Sequence, residues 1–177
     1  LLVAASIPTA IIGLTFEDVF ESLFSNPAAL AVTFAITATL MLSTRWAPAP
    51  SRTLTVPLAL ILGTVQGMAI TPGISRSGST IAAALMLGIE REQAARFSFL
   101  MSVPAITGAV LKKSLDADWS AMDGTALAVG FFASLVSGYL ALVLLVQLVK
   151  RGGLWWFALY CYPLAVVAGL LAWMNLG

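Results

Sequence analysis

Ten residues, Thr71-Pro72-Gly73-Ile74-Ser75-Arg76-Ser77-Gly78-Ser79-Thr80, form a polar, glycine-punctuated stretch inside a chain that is otherwise mostly apolar. Leu54 to Ile70 precedes it and Ile81 to Ile89 follows it, both without a charge. So short a loop cannot cross a membrane and return, which places it at depth between two apolar segments. In hydrocarbon, non-helical backbone survives only where protein buries it or where it lines a wet cavity. An arginine at that depth costs about 3 kcal/mol on insertion scales. An anion is the expected partner.

The chemistry of the loop suits phosphate. Pro72-Gly73 should break the incoming helix, since proline lacks the N–H and glycine tolerates positive φ. Ser79 or Thr80 is then expected to N-cap a second helix over Ile81 to Leu87, with capping the better role for Ser79. Free amides and the positive end of the helix dipole would face the loop. Arg76 adds a planar fork able to hold two phosphate oxygens, flanked by the Ser75, Ser77 and Ser79 hydroxyls. The plainer alternative is a hydrophilic turn with Arg76 snorkelling to the interface. Gln66, in the preceding apolar helix, could equally contact substrate or bond a neighbouring helix.

Composition excludes a soluble globular domain. Of 177 residues, 60% are hydrophobic and 10% charged, where about 25% charged is usual. The apolar runs are continuous rather than alternating, so the fold class is all-α integral membrane: a polytopic helical bundle with a re-entrant helical hairpin. The net charge of +1 gives no reason to expect nucleic acid. Histidine is absent, and the single Cys161 allows no internal disulfide.

In chain order, Leu1 to Leu14 reads as a truncated span and Thr15 to Asn26 as an acidic loop holding Glu17, Asp18 and Glu21. Pro27 to Thr44 is the second span, residues 45–53 a proline-rich linker, and residues 54–88 the re-entrant hairpin. Residues 89–177 hold three spans: Phe97 to Val110 with a kink at Pro104, Gly124 to Val149, and Leu154 to Asn175. Trp46, Trp119, Trp155 and Trp156 fall at span ends, as an interfacial belt does. With the hairpin not crossing, Arg45, Arg52, Arg91, Arg96, Lys150 and Arg151 share one face. That is six of nine basic residues, which puts this face in the cytoplasm and the C-terminus in the periplasm.

Gln66-Gly67, Pro72 through Ile81, Phe97-Ser98-Phe99 and Val103-Pro104 together resemble the second signature region of the undecaprenyl-pyrophosphate phosphatases, bacterial membrane enzymes also called bacitracin-resistance proteins. Weaker similarity runs from Leu1 to the end, including Ile7-Pro8, Gly13-Leu14 and Phe157-Ala158-Leu159-Tyr160. The resemblance implies hydrolysis of undecaprenyl diphosphate to the monophosphate carrier of envelope synthesis. It makes Arg76 and Ser75 the catalytic candidates and Ser77 and Thr80 phosphate contacts; Gly73, Gly78, Ser79 and Gln66 complete the substrate-binding candidates. It also implies a divalent cation, Mg²⁺ or Ca²⁺, whose ligands are expected outside this chain, because no acidic residue is near the loop in sequence.

The family's first signature pairs acids four apart before a proline-valine-serine-serine-threonine-glycine-histidine run. Glu17 and Glu21 have that spacing, but Ser22-Leu23-Phe24-Ser25 follows them, and they are rejected as catalytic. The chain therefore reads as the larger, C-terminal part of an inverted-repeat fold, with residues 1–44 the remainder of the first repeat. The 177 residues alone are expected to be inactive, lacking a nearby base. The expected partners are a polyprenyl diphosphate and membrane lipid, with a homodimer as the candidate assembly. The competing function is a transporter or flippase of a phosphorylated polyprenyl lipid, since broken helices aimed at an anion serve carriers equally well.

Overall fold

The computed structural model describes residues 1–116 and 123–175, and Trp119, one of the belt residues expected above, lies outside them. Eight α-helices carry the fold: α1 (Leu2–Thr15), α2 (Glu17–Leu23), α3 (Pro27–Ser43), α4 (Val56–Met68), α5 (Arg76–Met86), α6 (Arg91–Asp116), α7 (Gly124–Lys150) and α8 (Ala158–Asn175). Four stretches are long and apolar enough to cross a membrane: Pro27–Trp46, Arg91–Leu115, Gly124–Lys150 and Leu154–Met174. A fifth is the bent pair α1 and α2, which turns by 67°. The chain is a multi-pass membrane protein. Thr15 to Asn26, read above as a loop, is mostly the helix α2, in which Glu17 pairs with Lys112 at the far end of α6.

The hairpin follows from length and from how its ends are tied. α4 has 13 residues and α5 has 11, about 20 Å and 17 Å of helix, each short of a ~30 Å hydrocarbon core. Both ends meet at one level, because the Ser51 and Arg52 amides donate to the Gly88 carbonyl at 2.9 and 3.1 Å. The hairpin therefore returns to the face it left. α1 lies along α4 in the same direction. Contact is so close there that a Cβ on Gly63 would sit 2.1 Å from the Ala5 carbonyl oxygen. The Thr9 hydroxyl joins the two helices by donating toward the Gly63 carbonyl, 2.8 Å away.

Leu62 of α4, Ile81 of α5 and Met101 of α6, all essentially inaccessible, form the core against which the hairpin closes. α3 and α8 make a second, antiparallel pair around Ala38, Met41, Ala158 and Cys161. α7 buries Val149 and packs Leu145 and Val146 on the hairpin core, and it leaves most of its apolar surface exposed for lipid.

Charged side chains gather at the two ends of the bundle. At one end, Glu92 at the start of α6 pairs with Lys150 at the end of α7, at 3.0 Å. Nearby, Arg45 lies 5.3 Å from the ring centre of Trp155, which stacks on Trp156. Glu90 begins α6 by accepting from the Glu92 and Gln93 amides, bonds that hold its carboxyl below the usual range. Glu17 and Lys112 mark the opposite end.

Candidate anion site at the hairpin tip

The second half-helix starts earlier than the sequence suggested. Its cap is Ser75, whose Oγ accepts from the Gly78 amide at 3.3 Å, and neither Ser79 nor Thr80 caps it. Arg76 and Ser77 are therefore the first two helical residues, positions whose amides have no intrahelical acceptor. The reason lies outside the loop. Thr37 of α3 donates to the Gly73 carbonyl at 2.9 Å and accepts from the Ser75 amide at 3.1 Å. One hydroxyl thus satisfies both sides of the turn and fixes Ser75 in the extended conformation that a cap needs. Gly73 has φ +82°, and a Cβ there would lie 2.2 Å from Thr33 Oγ1, so only glycine fits.

Arg76 is half-buried, and its guanidinium has no hydrogen-bond or ion-pair partner among the described residues. It lines two cavities at once. One, about 450 Å³, is mostly apolar and runs past Thr9, Ile70, Ala105, Ile106 and Ala109 to Lys113. The other, about 430 Å³, sets the polar groups of Gln66, Ser77, Ser98 and Ser102 among Phe99, Ile106, Leu142 and Leu145, beside the small residues Gly138 and Ala141 of α7. A charged fork and a helix N-terminus thus stand where a cavity carrying several hydroxyls meets an almost wholly apolar groove. That arrangement can hold an anionic head with a long apolar tail.

The other expected residues separate into roles. Gln66 is buried and bonds a neighbouring helix, its amide donating to the Met101 carbonyl at 3.1 Å, while it also borders the polar cavity. Ser77 borders that cavity too. Gly78 accommodates α3, since a Cβ there would meet Met41 Cε at 2.1 Å. Ser79 and Thr80 are buried and line neither cavity; Ser79 Oγ has no partner among the described residues. Around Arg76 the donor set is hydroxyls and one carboxamide, and no metal-holding group of His, Cys, Asp and Glu occurs among the described residues. These residues alone do not fit a divalent-cation cage. Sequence reasoning missed Thr33, Thr37 and Ser102; the four-residue spacing of the two threonines in an apolar helix was the available signal.

A family profile described as "Bacitracin resistance protein BacA" matches residues 1–167. The chain belongs to the BacA family. Among its relatives, the protein named undecaprenyl-diphosphatase in Desulfatibacillum aliphaticivorans is 43% identical over 166 residues, covering 92% of this chain and 60% of the relative. The protein of the same name in Carboxydothermus hydrogenoformans is 41% identical over 174 residues, covering 94% and 67%. In Methanothermobacter thermautotrophicus it is 42% identical over 175 residues, covering 94% and 96%. The chain thus spans about 60% to two thirds of the first two relatives and nearly all of the third.

Thr37→Val removes both bonds to the turn at nearly constant volume. Two bonds of about 1 kcal/mol each should raise local opening roughly tenfold or more. Faster hydrogen exchange at the Ser75 amide, restored by Thr37→Ser, is the expected result; unchanged exchange would show that the turn holds itself.

Proposed function

We propose that the protein hydrolyses the terminal phosphate of undecaprenyl diphosphate. Water adds across the phosphoric anhydride, and a prenyl monophosphate and orthophosphate leave. The observation that carries this reading is Arg76, unpaired among the described residues, at the first turn of α5 and shared by a hydroxyl-bearing and an apolar cavity. The names of the relatives above support the same chemistry. Phosphoryl transfer is catalysed largely by positioning and charge neutralisation, which the Arg76 fork and the free amides of the α5 terminus supply. Ser77 and Ser102 flank the diphosphate in the cavity that carries the hydroxyls, while the Ser98 hydroxyl at its edge is turned to Thr80. The groove along Ala105, Ile106 and Ala109 takes the first isoprene units. Ser75 acts by holding the turn, since its oxygen caps the helix. The Mg²⁺ or Ca²⁺ that the family resemblance implies finds no cage in this donor set, and no step is assigned to it.

The protein belongs, on this reading, in the bacterial plasma membrane with the hairpin tip open outward. Arg76 shares its groove with Lys113, on the face opposite Arg45 and Lys150. The C-terminus then lies outside, where the lipid diphosphate is left by envelope synthesis.

Release of orthophosphate from undecaprenyl diphosphate by the full-length protein in detergent, with Mg²⁺ or Ca²⁺ supplied, tests the chemistry. Arg76→Ala should lower the rate on the order of 100-fold or more, and Arg76→Lys should recover little, because a point charge lacks the fork. Near-full activity in Arg76→Ala would refute the assignment, and substrate binding without phosphate release would favour transport. For sidedness, Thr53→Cys and Glu21→Cys are made separately in a Cys161→Ala background. An impermeant thiol reagent added from outside should label position 21 and spare 53; the reverse pattern would invert the orientation.

A further inference from the structure

Thr80 stands one turn beyond Arg76 on α5 and is 1% exposed, so it cannot reach a diphosphate in either cavity as the structure stands. Its hydroxyl is engaged elsewhere. Thr80 Oγ1 lies 3.0 Å from the Arg76 carbonyl oxygen and 3.1 Å from that of Ser77. It also lies 2.5 Å from Ser98 Oγ on α6. A hydroxyl has one proton and two acceptor sites. With the Thr80 proton on a first-turn carbonyl, the Ser98 hydroxyl must be the donor to Thr80. A directed chain results, from Ser98 through Thr80 to the carbonyls of the two residues that border the polar cavity.

Ser98 is unlike the other hydroxyl that α6 brings to this cavity. Ser102 donates back to the Phe99 carbonyl of its own helix at 2.7 Å, whereas Ser98 reaches across to α5. Ser98 is 3% exposed, buried enough that losing Thr80, its one acceptor among the described residues, would leave its hydroxyl unsatisfied. Threonine hydroxyls that bond carbonyls three and four residues back bend a helix. The side chain that fixes the Thr80 rotamer therefore also fixes the curvature of the first turn of α5. Arg76 projects from that turn on a long side chain, so a small rotation of the turn becomes a larger displacement of the guanidinium.

We propose that Ser98 is a positioning residue: acting through Thr80, it sets the first turn of α5 and so aims Arg76 and Ser77 at the reacting diphosphate. This rests on the phosphatase reading above. Thr80 then serves the site from behind, rather than as the phosphate contact that the resemblance implied. Geometry held this way acts on the transition state more than on ground-state binding, because misplacement of a catalytic group by about 1 Å can cost up to 100-fold in rate.

The test compares kcat, KM and thermal unfolding of the full-length protein and its variants, with undecaprenyl diphosphate as the probe. Ser98→Ala should lower kcat about tenfold or more with little change in KM or unfolding temperature. Ser98→Thr, which keeps the hydroxyl, should recover most of the rate. Thr80→Val should show the same loss, and the Ser98→Ala, Thr80→Val double variant should be no worse than either single one, since all three break one relay. Wild-type kcat in Ser98→Ala, additive losses in the double variant, or a kcat loss that simply follows a fall in unfolding temperature would each overturn the relay. Those outcomes leave the phosphatase reading intact. Wild-type protein that releases no phosphate would instead overturn that reading and the relay's role with it.

Discussion

A half-buried guanidinium with no carboxylate paired to it among the described residues is the constraint from which the rest of this structure follows. Arg76 cannot shed its proton at any working pH, so the protein must surround a fixed positive charge with dipoles and leave room for an anion. A break in a helix at depth supplies both. It brings free amides next to the arginine, and it forces the chain to satisfy exposed backbone from outside the segment. Thr37 provides that satisfaction with one hydroxyl, donating to Gly73 and accepting from Ser75. The short half-helices and the amides tied to the Gly88 carbonyl then keep the tip at a set depth.

Around that charge the surface divides by polarity. Hydroxyls and the Gln66 carboxamide gather on the side facing α6 and α7, while alanine and isoleucine line the groove toward Lys113. A lipid diphosphate has the same division between head and tail. Small residues recur where helices must come close, as at Gly63 against Ala5, because in lipid the gain comes from contact rather than from expelling water.

Much of this was legible in the sequence, and the part that was not has a common cause. The spans and the hairpin follow from continuous apolar runs and a polar interruption too short to cross. Arg76 follows from the cost of burying it. The start of α5 was set too late because Ser75, Ser77, Ser79 and Thr80 are all capping types, and local chemistry does not choose among them. The choice is made by Thr37, nearly forty positions earlier in the chain. The acidity of residues 15–26 suggests a loop, but Glu17 gains a partner in Lys112 at the end of a helix much later in the chain. Gln66 was balanced between two roles, and its amide takes the interhelical one while still bordering the polar cavity. In each case the deciding contact is long-range, and periodicity carries no record of it.

The most direct measurement is a structure of the full-length protein with a prenyl methylenediphosphonate, whose P–C–P link resists hydrolysis. The diphosphonate should lie against the Arg76 fork and the Arg76 and Ser77 amides at charge-assisted distances of about 2.7–2.9 Å. The prenyl chain should lie along Ala105 and Ala109. A head group seated at Lys112 and Lys113, with the α5 terminus empty, would contradict that placement.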